Sequence, residues 1–315
     1  MFIKDFQDGQ TISYIFVIIQ DIQLKSTAAG KPYLSAKLQD RSGTIDMKYW
    51  DYVGDLTSAD NGKIVKVAGT VSSYRETLQF TASKIRLATD DDVSVYNKAD
   101  LVPTAPIDIK ETIQALEHTF GCIVDEDYRD VCRRLWDSYK ERFIDFPAAK
   151  GVHHAFIGGL LMHTYNMMKV AGTIAAIYKN EINHDLLLAG TFLHDIAKIH
   201  EYETSTLGLA TGFTLHGNML GHLVMGANIV GDTCDAMTIP VEKKLLLQTM
   251  LLSHHGKPEY GAATVPRTLE AELLHMIDMI DSRVEICREA FEKIEVGQFT
   301  EKLFALDNKQ IYRHF

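Results

Sequence analysis

Seven side chains in this sequence are of the kinds that hold divalent cations, and they recur in a fixed order. His163 lies in Gly158-Gly159-Leu160-Leu161-Met162-His163-Thr164. The pair His194-Asp195 follows the apolar run 186–193. His222 lies in Gly221-His222-Leu223, His254-His255 form a second pair, and Asp278 lies in Met276-Ile277-Asp278-Met279-Ile280-Asp281. These five groups sit on separate predicted helices with apolar flanks, which implies inward-pointing side chains. Buried imidazole and carboxylate groups cost several kcal/mol unless they find partners. Shared metal ions are the partner that suits this mixture. Imidazole with carboxylate favours borderline divalent ions such as Mn²⁺, Fe²⁺, Co²⁺, Ni²⁺ or Zn²⁺; Mn²⁺ is the first expectation, and the harder Mg²⁺ is a further candidate. A carboxylate can bridge two ions, one on each oxygen. Two ions about 3.5–4 Å apart clamp the attacking and leaving oxygens of a phosphoryl displacement.

Lys198 follows Asp195 by three and His194 by four, so it shares their helix face. Beside a metal site it can bind a phosphate oxygen or protonate a leaving group. The alternative is a lysine reaching for solvent at a helix end. A single histidine on an apolar helix is ordinarily a satisfied core residue. His118, His184, His200, His275 and His314 take that reading.

The elements that must position these groups fall into two classes. Residues 1–88 read as five short strands, near 14–19, 33–38, 44–50, 63–71 and 78–87, separated by Gly, Asp, Asn and Ser. Five strands in so short a span suggest a small closed barrel, because closure removes exposed edges. Residues 89–107 carry an acidic run and two prolines and read as a linker. Residues 108–315 read as helical, with the core at 150–290. Helices are predicted near 107–120, 127–143, 158–178, 185–199, 218–231, 240–255 and 268–293. Gly256 stands where a C-terminal cap would be, and Thr268 is a plausible N-cap. The fold class expected is therefore multidomain α and β: an N-terminal five-stranded OB-like barrel followed by an all-α domain.

Composition narrows the function further. The 315 residues carry 32 Lys and Arg against 42 Asp and Glu, a net charge of −10 with neutral histidine. Bulk charge therefore does not hold this chain on nucleic acid, and any such binding needs a local basic groove. The four cysteines form no closely spaced pair, which argues against a zinc ribbon and fits reduced thiols. No apolar run approaches the roughly 18 residues of a membrane span. Lys4, Asp5 and Asp8 stand where a signal peptide would be apolar, so a cytoplasmic location is expected.

The ordered set His163, His194-Asp195, His222, His254-His255 and Asp278 resembles the HD superfamily of metal-dependent phosphohydrolases, in particular its dinuclear members. The resemblance implies that His163, His194, Asp195 and Asp278 hold one ion, with Asp195 bridging to a second. His222 and His254 would hold that second ion, with His255 either a further ligand or a contact to substrate. It implies Asp278 rather than Asp281 as the last ligand, with Asp281 in support. The combination with a barrel is similar to the YhaM-type 3′→5′ exoribonucleases. Val152-His153-His154-Ala155-Phe156, His255-Gly256-Lys257-Pro258-Glu259-Tyr260-Gly261 and Asp40-Arg41-Ser42-Gly43-Thr44-Ile45 carry that likeness. Ala197 stands where the family commonly has Gly. The Gly-Tyr-Pro signature of HD-type cyclic-dinucleotide phosphodiesterases is not matched at Glu259-Tyr260-Gly261-Ala262-Ala263.

The resemblance implies a 3′→5′ exonuclease that takes single-stranded RNA, and DNA as a second substrate, and releases nucleoside 5′-monophosphates. Asp195, Lys198, His154 and His255 are the candidate catalytic residues. A barrel of this type binds strands by stacking bases on aromatics and tracking phosphates with Lys and Arg. Tyr33, Tyr49 and Phe80, with Lys48 and Arg75, are the candidates in this barrel, and Tyr52 and Tyr74 are further aromatics. Apolar surface on the barrel or the tail could serve self-association into a homo-oligomer. Two other readings stand beside this one: a phosphohydrolase of free nucleotides or alarmones with a regulatory barrel, and a non-catalytic nucleic-acid-binding protein with a structural metal site.

Overall fold

The computed structural model describes residues 1–27, 29–74, 77–97, 100–102, 104–148, 156–205 and 208–315. The chain divides into two compact units. One comprises Met1–Thr104 with Thr204–Thr211, and the other comprises Ala105–Glu203 with Gly212–Phe315.

The first unit is built on five strands: β1 (Thr11–Ser26), β2 (Pro32–Asp40), β3 (Gly43–Trp50), β4 (Ile64–Tyr74) and β5 (Thr77–Leu87). They close into a barrel in the order β1-β2-β3-β5-β4. Every pairing is antiparallel except β3 with β5, which runs parallel at Met47 opposite Phe80. β1 reaches both neighbours because its register shifts twice, between Ile12 and Ile15 and between Gln20 and Gln23. Such irregularities bend a long strand around a small barrel. Period-2 alternation sorts the faces. Leu34, Ala36, Leu38, Ile45 and Met47 fill the interior, while Tyr33, Ser35, Lys37, Asp46 and Lys48 lie on the other parity.

Part of the segment expected to be a linker groups with this unit. Asp92 is buried there, accepts from both terminal nitrogens of Arg86 at 2.6 and 3.0 Å, and accepts the Thr89 amide at 2.9 Å.

The second unit contains α1 (Ile109–Cys122), α2 (Glu126–Asp145), α3 (Gly159–Ile177), α4 (His184–Leu193), α5 (Lys198–Glu201), α6 (Leu215–Ala236), α7 (Val241–Ser253) and α8 (Leu269–Phe291). Asp108, Asp125, Asn183, Thr214 and Thr268 each cap a helix N-terminus through the side chain. Residues 186–193 of α4 are buried on every side. A helix apolar all round belongs at the centre, and α4 packs against α2, α3, α7 and α8. Two short strands not expected from sequence, β6 (Tyr202–Thr204) and β7 (Ala210–Phe213), pair between α5 and α6. Among the described residues, no helix is long and apolar enough to cross a membrane.

Phe80, a sequence candidate for base stacking, is instead a core residue. The parallel pairing with β3 turns it inward, and it has no exposed surface. Replacing it with alanine should cost about 3–5 kcal/mol, as for a large aromatic lost from a packed core. Tyr33→Ala, on the outer face, should cost about 1 kcal/mol or less. Urea unfolding of the two variants checks this.

Candidate metal centre

Both histidine-bearing pairs stand at helix C-termini, where the last carbonyls have no intrahelical partner. His194 ends α4, and its Nδ1–H donates to the Thr191 carbonyl at 2.7 Å. His254 ends α7, and its Nδ1–H donates to the Leu251 carbonyl at 2.7 Å. In each case the ring satisfies an orphan carbonyl and leaves Nε2 aimed inward. The predicted helices 185–199 and 240–255 therefore stop short of their expected ends. After His254 the chain turns at Gly256, whose φ is +78°, and a side chain there would collide with the His275 ring. His275 in turn donates Nδ1–H to the His254 carbonyl at 3.0 Å.

The other two imidazoles are oriented by carboxylates. His163, on α3, holds Asp281 Oδ2 with Nδ1 at 2.7 Å. α6 is broken at Gly221, where φ +69° and ψ 163° suit glycine, so His222 begins a new helical segment. Glu201 Oε1 accepts both the His222 amide at 3.0 Å and its Nδ1–H at 2.9 Å. One carboxylate thus caps the segment and sets the ring. All four Nδ1 atoms are engaged, and the Nε2 atoms of all four rings face Asp195.

Asp195 divides them. Its Oδ2 lies 3.1 Å from His194 Nε2 and 3.7 Å from His163 Nε2. Its Oδ1 lies 3.5 Å from His222 Nε2 and 3.7 Å from His254 Nε2. His163 Nε2 is also 3.4 Å from Asp278 Oδ1 and 3.3 Å from His194 Nε2. Two groups could each hold a cation: His163, His194 and Asp278, and His222, His254 and His255. Asp195 Oδ1, His222 Nε2 and His255 Nδ1 are buried without any hydrogen-bond partner. Unpaired buried polar atoms are costly, and divalent cations fit this donor set.

Three carboxylates are held ionised against their burial. Burial would raise the pKa of Asp195, but His194 and Lys198 hold it far below the ordinary range. Asp278 is likewise kept low by His163, and Glu201 by His222. Burial and neighbouring imidazoles push His254 well down and His255 to about 4, so both rings are neutral at pH 7. His163 behaves oppositely. Burial alone would lower its pKa, but Asp278 and Asp281 push it up to about 9. A proton on His163 therefore stands where a cation would neutralise the same carboxylates.

Residues 160–283 match the family model described as HD domain, and residues 14–88 match the one described as OB-fold nucleic acid binding domain. The fold is an OB barrel followed by a helical HD domain. Among solved structures, the HD domain of the L. monocytogenes phosphodiesterase PgpH is 17% identical, with 46% of this chain and 72% of that one covered, at TM-score 0.28. A replication protein A heterotrimer bound to ssDNA is 18% identical over 25% of this chain and 58% of that chain, at TM-score 0.21. The second OB-fold domain of replication protein A from Methanococcus maripaludis is 20% identical over 28% of this chain and 93% of that one, at TM-score 0.21.

In the HD domain, the structure brings together all seven residues singled out in the sequence: His163, His194, Asp195, His222, His254, His255 and Asp278. Lys198 joins them, its Nζ 2.8 Å from Asp195 Oδ2. Burial opposes its charge, but Asp195 prevails and raises its pKa. Sequence reasoning missed Glu201, because nothing in the chain links it to a histidine 21 positions away across two short strands. His154 lies outside the described residues, as does Arg75.

On the OB barrel the candidates separate. Tyr33 and Trp50 pair across β2 and β3 with ring centroids 4.9 Å apart. Lys48 Nζ sits 5.6 Å from the Tyr33 ring centroid and donates to Ser35 Oγ at 2.5 Å. Trp50, which is 47% exposed, is a surface aromatic beside the half-buried Tyr33 and Lys48. Tyr49 is half-buried, its ring against Tyr52 and its hydroxyl donated to the Ser83 carbonyl. Tyr52 is buried, with its oxygen accepting the Leu56 amide. Packing of the barrel end thus withdraws Tyr49 in part and Tyr52 altogether, as it does Phe80.

Cation uptake should release a proton. At neutral pH a metal must displace the His163 proton, so Mn²⁺ affinity rises as pH climbs towards about 9 and levels off above it. Calorimetry in buffers of different ionisation enthalpy measures this directly. Glu201→Gln should weaken Mn²⁺ binding roughly 10–100-fold, by freeing the His222 ring.

Proposed function

We propose that this chain is a metal-dependent 3′→5′ exonuclease that degrades single-stranded RNA, with DNA as a second substrate, to nucleoside 5′-monophosphates. The observation that carries this reading is Asp195, one buried carboxylate whose two oxygens face two separate imidazole groups. His163, His194, Asp195 and Asp278 would hold one cation, and Asp195, His222 and His254 the other, with Mn²⁺ the first expectation. Such ions polarise a phosphoryl group and make water nucleophilic near neutral pH.

The chain's own groups do the rest. Lys198, cationic beside Asp195, supports the charge that develops on the phosphoryl oxygens. Glu201, Asp281 and the Thr191 and Leu251 carbonyls keep each imidazole in one tautomer and one orientation. His255, neutral and partly exposed, would contact the substrate phosphate. The barrel offers Tyr33 and Trp50 as a stacking surface, with Lys48 beside it for phosphate. Stacking and backbone contacts read sequence poorly, so cleavage should be nearly sequence-independent.

The test uses 5′-labelled single-stranded RNA and DNA with Mn²⁺, with Mg²⁺ and with chelator. A ladder shortening from the 3′ end, lost with chelator and in Asp195→Ala, is the expected result. Intact strands alongside hydrolysed mononucleotides would instead favour the free-nucleotide phosphohydrolase. Tyr33→Ala and Trp50→Ala should each weaken long-strand binding by about 1–3 kcal/mol, with a smaller effect on dinucleotide cleavage.

A further inference from the structure

A cavity of about 540 Å³ opens from the metal centre within the helical unit, with Asp278 and His255 in its lining. These are the two partly exposed members of an otherwise buried cluster, so the cavity is a way in for a substrate. Its volume falls within the roughly 300–1,000 Å³ of small-molecule sites.

The rest of its lining is not that of a metal site. Tyr260 and Phe304 contribute aromatic rings that are 55% and 88% exposed. Arg283 contributes a guanidinium whose Nε is buried without a hydrogen-bond partner and whose Nη2 lies 3.8 Å from Asp307 Oδ2. Asp307 contributes a carboxylate that is largely exposed.

The wall carrying Phe304 and Asp307 is well anchored. Residues 297–313 fold back on themselves through paired backbone bonds, Gly297 to Arg313 and Thr300 to Ile311. Arg313 donates to the Phe291 and Ile294 carbonyls at 2.6 and 2.7 Å, fixing the tail to the end of α8. Asp307 and Asn308 turn sharply with φ of 57° and 58°, and the Asn308 amide returns to the Leu303 carbonyl at 3.0 Å.

We propose that this cavity is the subsite for the terminal nucleotide of the strand. Tyr260 and Phe304 stack on its base, Arg283 donates to its phosphate, and Asp307 accepts from its sugar hydroxyls. Aromatic faces accept any base, and a guanidinium with a free donor suits a phosphate oxygen. The inference rests on the exonuclease reading and extends it, because the released product would be the occupant of this pocket.

The probes are AMP and ribose 5-phosphate, titrated calorimetrically into the full chain with Mn²⁺ present. AMP should bind more tightly than ribose 5-phosphate. Phe304→Ala and Tyr260→Ala should each lower AMP affinity about 5- to 150-fold, the equivalent of 1–3 kcal/mol per stacked base, with ribose 5-phosphate affinity held within about twofold. Arg283→Ala should weaken both ligands. Equal affinity of the wild type for the two ligands, or variants that bind AMP like the wild type, would overturn the proposal. That failure alongside an intact 3′ ladder would leave the exonuclease reading standing. Aromatic-dependent AMP binding without strand cleavage would end the exonuclease reading and leave a nucleotide pocket.

Discussion

A carboxylate placed at the centre of a helical core is unfavourable unless charge and hydrogen bonds surround it. Asp195 is 2% exposed and lies at the end of α4, the most enclosed helix of its unit. Four imidazoles and Lys198 reach it from α3, α4, α5, α6 and α7. The arrangement of those helices follows from that requirement. His163 reaches it from within α3, and Lys198 from the start of α5. α4 and α7 do so by ending at His194 and His254, and α6 does so by breaking at Gly221.

The same economy runs through the outer contacts. A backbone carbonyl left over at a helix end orients an imidazole twice, and a carboxylate from a neighbouring element does so twice. None of these partners lies more than one hydrogen bond from the ring it fixes. Each ring is therefore oriented by protein groups alone. The acidic net charge of the chain makes local positive features matter more. Lys48 on the barrel and Arg283 at the cavity are two such features.

Much of this was legible in the residues, and the exceptions have physical reasons. The clustering of the seven groups was readable because polar side chains in apolar helices need partners, whatever the fold. The five strands were readable from β-branched alternation and the turns between them. Which face of β5 points inward was not, since that depends on its parallel pairing with β3, and so Phe80 was misread as a binding residue. Glu201 was hidden because its partner is distant and because β6 and β7 are too short to show a period. The ends of α4 and α7 were overrun because the bonds that stop them are made by the histidines themselves. The cavity was invisible because its wall is a tail held by isolated bridges and not by a regular element.

The central claim is that two cations sit on opposite sides of one carboxylate. Anomalous diffraction from crystals grown with Mn²⁺ tests it most directly. The account predicts two peaks about 3.5–4 Å apart, one against His163, His194 and Asp278, the other against His222 and His254, with the Asp195 carboxylate between them. A crystal with no anomalous peak at Asp195, or with peaks only at surface carboxylates, would contradict it.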